Sequence, residues 1–187
     1  MKTAKPWMLI LMVSLLVLTG CSNQVAQSKK YFRIKTIEFN EAAEKRNLTL
    51  VVKRPKALSI LGGRPMVATR DDDSLVQLSH HFWLESPKVL LQDIFNQWAS
   101  GHWHKVSYQE PANEAYQVLE SRILAFEKQQ QSARLSIEFQ LYDQDRLLLF
   151  SRQLSHNQVI DGEGYRAFAR AIGQALEQVL KELAHEL

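Results

Sequence analysis

Residues 133–142 read ARLSIEFQLY. Leu135, Ile137, Phe139 and Leu141 alternate with Ser136, Glu138, Gln140 and Tyr142. A period of two is that of a strand with one buried and one wet face. Similar runs lie on either side, Tyr116 to Glu127 and Arg146 to His156. Only the polar turns 128–132 and 143–145 separate the three, which predicts an antiparallel meander.

Outward from the meander, the pattern changes to helical spacing at both ends. Asp161 to Leu187 carries Tyr165, Phe168, Ile172, Leu176, Val179, Leu183 and Leu187 on one stripe, so a closing helix is expected, capped by Asp161 or Gly162. Upstream, Ser86-Pro87 opens a second helix, with Ser at the N-cap and Pro in the first turn. Leu90, Leu91, Ile94, Phe95 and Trp98 form its apolar face, and Gly101 ends it. Further upstream come short strand candidates: Tyr31 to Phe39, Leu48 to Val52, Ala57 to Leu61, Met66 to Arg70 and Leu75 to Ser79; His104 to Tyr108 follows the helix. The fold class expected is α+β: a single, mainly antiparallel β-sheet with two main helices packed on one face. The opposite face is then wet or covered by another body, including another subunit.

The chain begins with a different signal. Lys2 and Lys5 precede an apolar run, Trp7 to Leu18, broken only by Ser14. Leu18-Thr19-Gly20 leads directly to Cys21, the one cysteine in the chain. Basic head, apolar core and small residues describe a secretory signal peptide. A membrane span needs about 20 apolar residues, more than are present. The cysteine at the cut site resembles the bacterial lipobox. By that resemblance residues 1–20 are removed and Cys21 receives S-diacylglycerol and N-palmitoyl groups. Two or more acyl chains make a stable anchor. Ser22, in place of an aspartate, implies by the enteric sorting rule the periplasmic face of the outer membrane. Residues 21–30 then form a polar, lipidated tether, and residues 31–187 one domain.

Composition bounds the rest. The chain is 45% hydrophobic and 23% charged, which is globular. Without Lys2 and Lys5 the balance is 21 basic against 20 acidic residues, so nothing points to nucleic acid. The distribution is uneven. Residues 29–70 hold eleven Lys or Arg against Glu38, Glu41 and Glu44, whereas residues 71–187 hold ten basic and 17 acidic residues. Such a basic half beside a lipid anchor is a candidate membrane-facing surface, since anionic headgroups attract each Lys or Arg by roughly 1 kcal/mol. The plainer expectation is that the two halves intermix in space.

A search for chemistry finds little. Asp71-Asp72-Asp73-Ser74 is turn chemistry; calcium loops alternate their ligands around a glycine. His80-His81 and His102-Trp103-His104 come without a metal motif such as HExxH. No nucleophile elbow and no phosphate loop is present. No catalytic, cofactor-binding or metal-binding residue is assigned, and the chain is expected not to be an enzyme. Phe82-Trp83-Leu84 is the apolar cluster that looks most exposed. Phe82 and Trp83 are therefore a candidate partner surface; the alternative is a strand end tucked under the following helix.

Leu58-Ser59-Ile60-Leu61, then Arg64-Pro65-Met66-Val67-Ala68-Thr69-Arg70, an acidic turn, Leu75-Val76-Gln77-Leu78, Trp83 and the Pro87 helix follow one another in order. This series resembles the ABC-type transport auxiliary lipoproteins, the PqiC/YmbA-like group. There an Arg-Pro-x-Val-x-Arg-like strand leads through a hairpin to a tryptophan and a helix. The resemblance implies a non-enzymatic subunit without cofactors. It implies work beside an inner-membrane transport component and a periplasm-spanning protein with MCE domains, which move lipids between the membranes. It also implies possible self-assembly into rings, a homo-oligomer whose contact would fall on the uncovered sheet face. The competing expectations are a scaffold lipoprotein of another envelope assembly machine and a metal hydrolase using His80, His102 or His104.

Overall fold

The computed structural model describes residues 28–187. The leader, Cys21 and Ser22 lie outside the described residues.

The fold is α+β, with a mixed sheet of nine strands. Its spine is β7 (Tyr116–Gln129), which continues antiparallel into β8 (Ser132–Asp143) and β9 (Leu148–Val159). That is the expected meander. Its turns use left-handed residues, Gln130 (φ 51°) and Arg146 (φ 65°), and Asp143 accepts hydrogen bonds from the Asp145 and Leu147 amides at 2.9 and 2.8 Å.

The other edge of β7 is shared in series. β2 (Arg46–Val52) pairs with its start, β3 (Lys56–Ala57) with its middle and β4 (Pro65–Thr69) with its end, all parallel. β6 (Trp103–Ser107) extends the sheet beyond β2, again parallel. β5 (Leu75–Trp83) returns antiparallel beside β4, and β1 (Lys30–Phe32) lies parallel to β5 at the outer edge. The sheet is mainly antiparallel by ladder length, as expected, but mixed rather than purely antiparallel, since five of the eight pairings among the described residues are parallel. Parallel strands need long crossovers, and the connection from β2 to its parallel neighbour β6 runs through residues 53–102.

The described residues include three helices: α1 (Ser59–Gly62), α2 (Pro87–Ser100) and α3 (Gly164–Glu186). The last two are the expected pair. Both pack on one face of the sheet, where Leu135, Ile137, Phe139 and Leu141 of β8 are buried. Phe95 of α2 meets Phe139 with ring centroids 5.5 Å apart, and Phe168 of α3 meets Trp83 at 5.7 Å. One continuous hydrophobic core results.

On the meander the far face is polar. Ser136 Oγ lies 2.6 Å from Ser155 Oγ and accepts from Gln153 Nε2 at 3.1 Å. Near β2 the same face is covered. Thr49, Val51 and Val118 are buried there, and the loop before β7 is tied across by Glu114 to Thr49 (3.1 Å) and by Glu110 to Lys53 (2.8 Å) and Arg146 (2.9 Å).

Two local expectations are corrected. The first strand stops at Phe32, not Phe39. Phe32 is opposite Trp83, the last residue of β5, and the Leu84 amide closes the ladder on the Phe32 carbonyl at 2.6 Å. Beyond that point the partner strand turns away toward α2, so residues 33–40 have nothing to pair with. Ala57 to Leu61 is strand only at Ala57; Ser59–Gly62 is the short α1.

Candidate functional site

The β1 edge gathers aromatic and basic side chains from four parts of the chain. Register places Tyr31 opposite Phe82, with ring centroids 5.5 Å apart. Lys29 Nζ sits 5.5 Å from the Phe82 ring and the Arg64 guanidinium 5.1 Å from the Tyr31 ring. Each is in range for a cation–π contact. Tyr31 remains 51% exposed, so its ring is held in place yet open to solvent.

Arg64 is fixed by the hairpin. The Trp83 amide donates to the Arg64 carbonyl at 2.8 Å, and Arg64 Nε donates to the Trp83 carbonyl at 3.4 Å. The Arg-Pro strand and the tryptophan of the sequence motif thus clasp one another across β4 and β5.

On the helix side of β1 a different stack forms. His81 lies 3.9 Å from Tyr165 and 6.1 Å from Phe32, centroid to centroid, so it binds β1, β5 and α3 together. Burial, and then the charges of Lys30 and His80, hold the His81 imidazole below its ordinary value.

From Arg33 the chain runs over α3 without strand partners. Ile34 is its anchor. A Cβ at Gly173 would sit 3.2 Å from Ile34 Cγ2, so the glycine lets the segment approach this closely without Ile34 having to shift. Ile37 and Phe39 pack on the core further along. Between segment and helix lies an open groove of about 570 Å³, lined by Tyr31, Phe32, Arg33, Lys35, Arg166 and Arg170 among others. No acidic residue lines it. Among the described residues none of these four cations forms an ion pair. A second hollow of about 580 Å³ continues it past Lys35 and Arg170 to Glu38 and Glu177.

The basic half of the sequence therefore divides. Lys53 and Lys56 pair with Glu110 and Glu120 of the acidic half, Lys45 Nζ reaches the Ser100 carbonyl, and Arg46 lies 4.6 Å over the Trp103 ring. Those charges are intermixed, as the plainer expectation had it. Lys29, Arg33, Lys35 and Arg64 instead stay on the β1 edge, joined by Arg166 and Arg170 from the acidic half. Sequence inspection singled out neither helix arginine. Their spacing of four residues, one helical turn apart, was the available signal.

The other sequence candidates separate. Phe82 is half-buried within the aromatic pair. Trp83 is 1% exposed and belongs to the core, meeting Phe126 at 5.1 Å, so it offers no surface to a partner. The strand end is tucked under the helices because strand alternation turns Trp83 inward and Phe82 outward. His80 Nδ1 lies 2.8 Å from Ser79 Oγ, His102 Nδ1 bonds the Trp98 carbonyl at 2.9 Å, and His104 is exposed. Among the described residues no three His, Cys, Asp or Glu come together as a metal site. Asp72 Oδ1 accepts from the Ser74 amide (3.0 Å) and hydroxyl (2.6 Å), which closes the acidic turn.

The family model of the ABC-type transport auxiliary lipoprotein component matches residues 36–184. The chain belongs to that family, and so to the auxiliary lipoprotein components of ABC-type transport systems. The fold is shared with protein XCC0632 from Xanthomonas campestris, of the family DUF330: 20% identity, TM-score 0.72, covering 82% of this chain and 92% of that one. It is shared equally with a crystal structure described only as an uncharacterized protein: 18% identity, TM-score 0.70, covering 85% and 98%. No curated protein matches the chain. Among the described residues no helix is long and apolar enough to cross a membrane.

Proposed function

We propose that the mature protein begins at Cys21, acylated with S-diacylglycerol and N-palmitoyl groups, and acts at the periplasmic face of the outer membrane. Its role there is a non-catalytic docking or conduit subunit of an MCE-type intermembrane lipid transport system. Residues 21–30 tether it, and residues 31–187 are the working domain. The observation that carries this is family membership over 36–184 in a chain that also opens with a lipobox ending at Cys21. The partners are an MCE-domain protein that spans the periplasm and an inner-membrane transport component. The bilayer holds one end of the assembly, and this subunit contributes position rather than bond-making.

Affinity purification from detergent-solubilised membranes tests the assignment. Recovery of an MCE-domain protein is the expected result. Recovery of a barrel-assembly or polysaccharide-export protein in its place would overturn it in favour of a scaffold for another envelope machine.

A further inference from the structure

We infer that the β1 edge is the membrane-contact face of the domain: Arg33, Lys35, Arg166 and Arg170, with Tyr31 beside them, rest against the anionic headgroups of the bilayer that holds the anchor. The inference rests on the lipid-anchor proposal and adds an orientation to it. Three observations converge. The four cations line one groove whose lining holds no acidic residue, and none of them forms an ion pair among the described residues; the nearest carboxylates on that side, Glu38 and Glu177, lie in the adjoining hollow. Tyr31 stands half in solvent at the same edge, braced by Phe82 and Arg64. An amphipathic aromatic ring beside Lys and Arg is the composition of a membrane interface.

The third observation is the tether. Seven residues lie between Cys21 and Lys29, so the eight residue steps, at about 3.3–3.6 Å each, reach at most about 29 Å. The β1 edge is where that tether enters the fold. The opposite edge strand, β9, lies five strand spacings away, about 24 Å at 4.7–4.9 Å per strand. An acidic protein would need to find this edge by diffusion, whereas the tether keeps the bilayer within about 29 Å of it.

The test uses the full-length exported protein in phosphatidylglycerol–phosphatidylcholine vesicles and in pure phosphatidylcholine. A nitroxide is placed at Thr36→Cys, in the groove, or at Ser151→Cys, on the polar face of β9. Collisions with an aqueous relaxation agent are expected to drop at position 36 on the anionic vesicles alone and to stay high at position 151. The drop should vanish when Arg33, Lys35, Arg166 and Arg170 are all changed to Gln, and return when the three arginines are Lys instead, which also shows that the fold is retained. Equal accessibility at the two positions, or a drop that survives the four changes, overturns the inference. So does a drop that appears only when another membrane protein is added, which would assign the edge to an acidic partner.

Failure of the anchor reads out separately, because an unacylated Cys21 takes up label in the unmodified chain. That chain is then measured by co-sedimentation with the anionic vesicles. Removing four interfacial charges should weaken binding several hundredfold, at roughly fivefold per charge. Equal binding overturns the inference there too.

Discussion

Trp83 and Phe82 are neighbours in sequence with opposite fates. Trp83 fills the space between Phe126 and Phe168. Trp83→Ala should cost about 3–5 kcal/mol, the usual range for emptying a large aromatic site, measured by urea unfolding. Phe82→Ala should cost about 1 kcal/mol, near the average for a point change, because Phe82 keeps solvent on one side. His81 makes stability depend on pH. Its imidazole is held below the ordinary value of 6.5 by burial and then by Lys30 and His80. The unfolded chain therefore takes up the proton first as pH falls. The stabilisation is full above 6.5 and is lost as pH drops through that value toward the depressed one. The melting temperature should fall between pH 7.5 and about 5, and His81→Phe should fall less. Glu127 has the opposite sign. Its side chain is 4% exposed, with the Phe126 amide at 2.9 Å and Arg134 at 3.8 Å, yet burial outweighs both and raises its pKa. A raised carboxyl pKa means stability is lost as pH rises through the folded value. Glu127→Gln should thus melt higher at pH 7, by about 1–3 °C for a chain of this size. The gain should shrink as the pH is lowered into the carboxylate range.

Among the elements, the segment 33–40 and α3 depend on each other through one missing side chain. Gly173→Ala gives the helix about 1 kcal/mol of propensity but asks Ile34 to yield by a few tenths of an ångström. Since that segment has no ladder to break, the two effects should nearly cancel. Gly173→Leu should lift the segment off α3, read as faster amide exchange at residues 33–40 with α3 itself still protected. The groove residues would then separate, so the same variant links the element to the site. β7 shows how far pairing lies beyond local pattern. Its strand character is legible in Tyr116 to Glu127, but nothing in those residues says that β2, β3 and β4 will share its edge. A hint lay in Leu48-Thr49-Leu50-Val51-Val52, where a nearly continuous apolar run suits a strand buried on both faces, the habit of parallel strands.

For the whole molecule, the placement of charge matters more than its sum. Lysines and arginines that pair across the fold do so with the acidic C-terminal half. Among the described residues Arg33, Lys35, Arg166 and Arg170 at the β1 edge form no ion pair. Cys21→Ser should move the protein from the membrane fraction to the soluble one on cell fractionation. Retention in the membrane would mean that the leader or a partner, and not acyl chains, holds it there.

The sequence alone determined the meander, both long helices and the turn at Asp72, because each is written in neighbouring residues: alternation, a helical stripe, a short polar turn. It also contained the Arg64-to-Trp83 series that marks the family. Tertiary structure alone decided which strands run parallel, where β1 ends, that Trp83 faces inward, and that Arg166 and Arg170 join Arg33 and Lys35 in one groove. Those facts depend on partners far apart in the chain. A strand ends when its neighbour turns away, and a charge stays free when folding brings it no opposite charge.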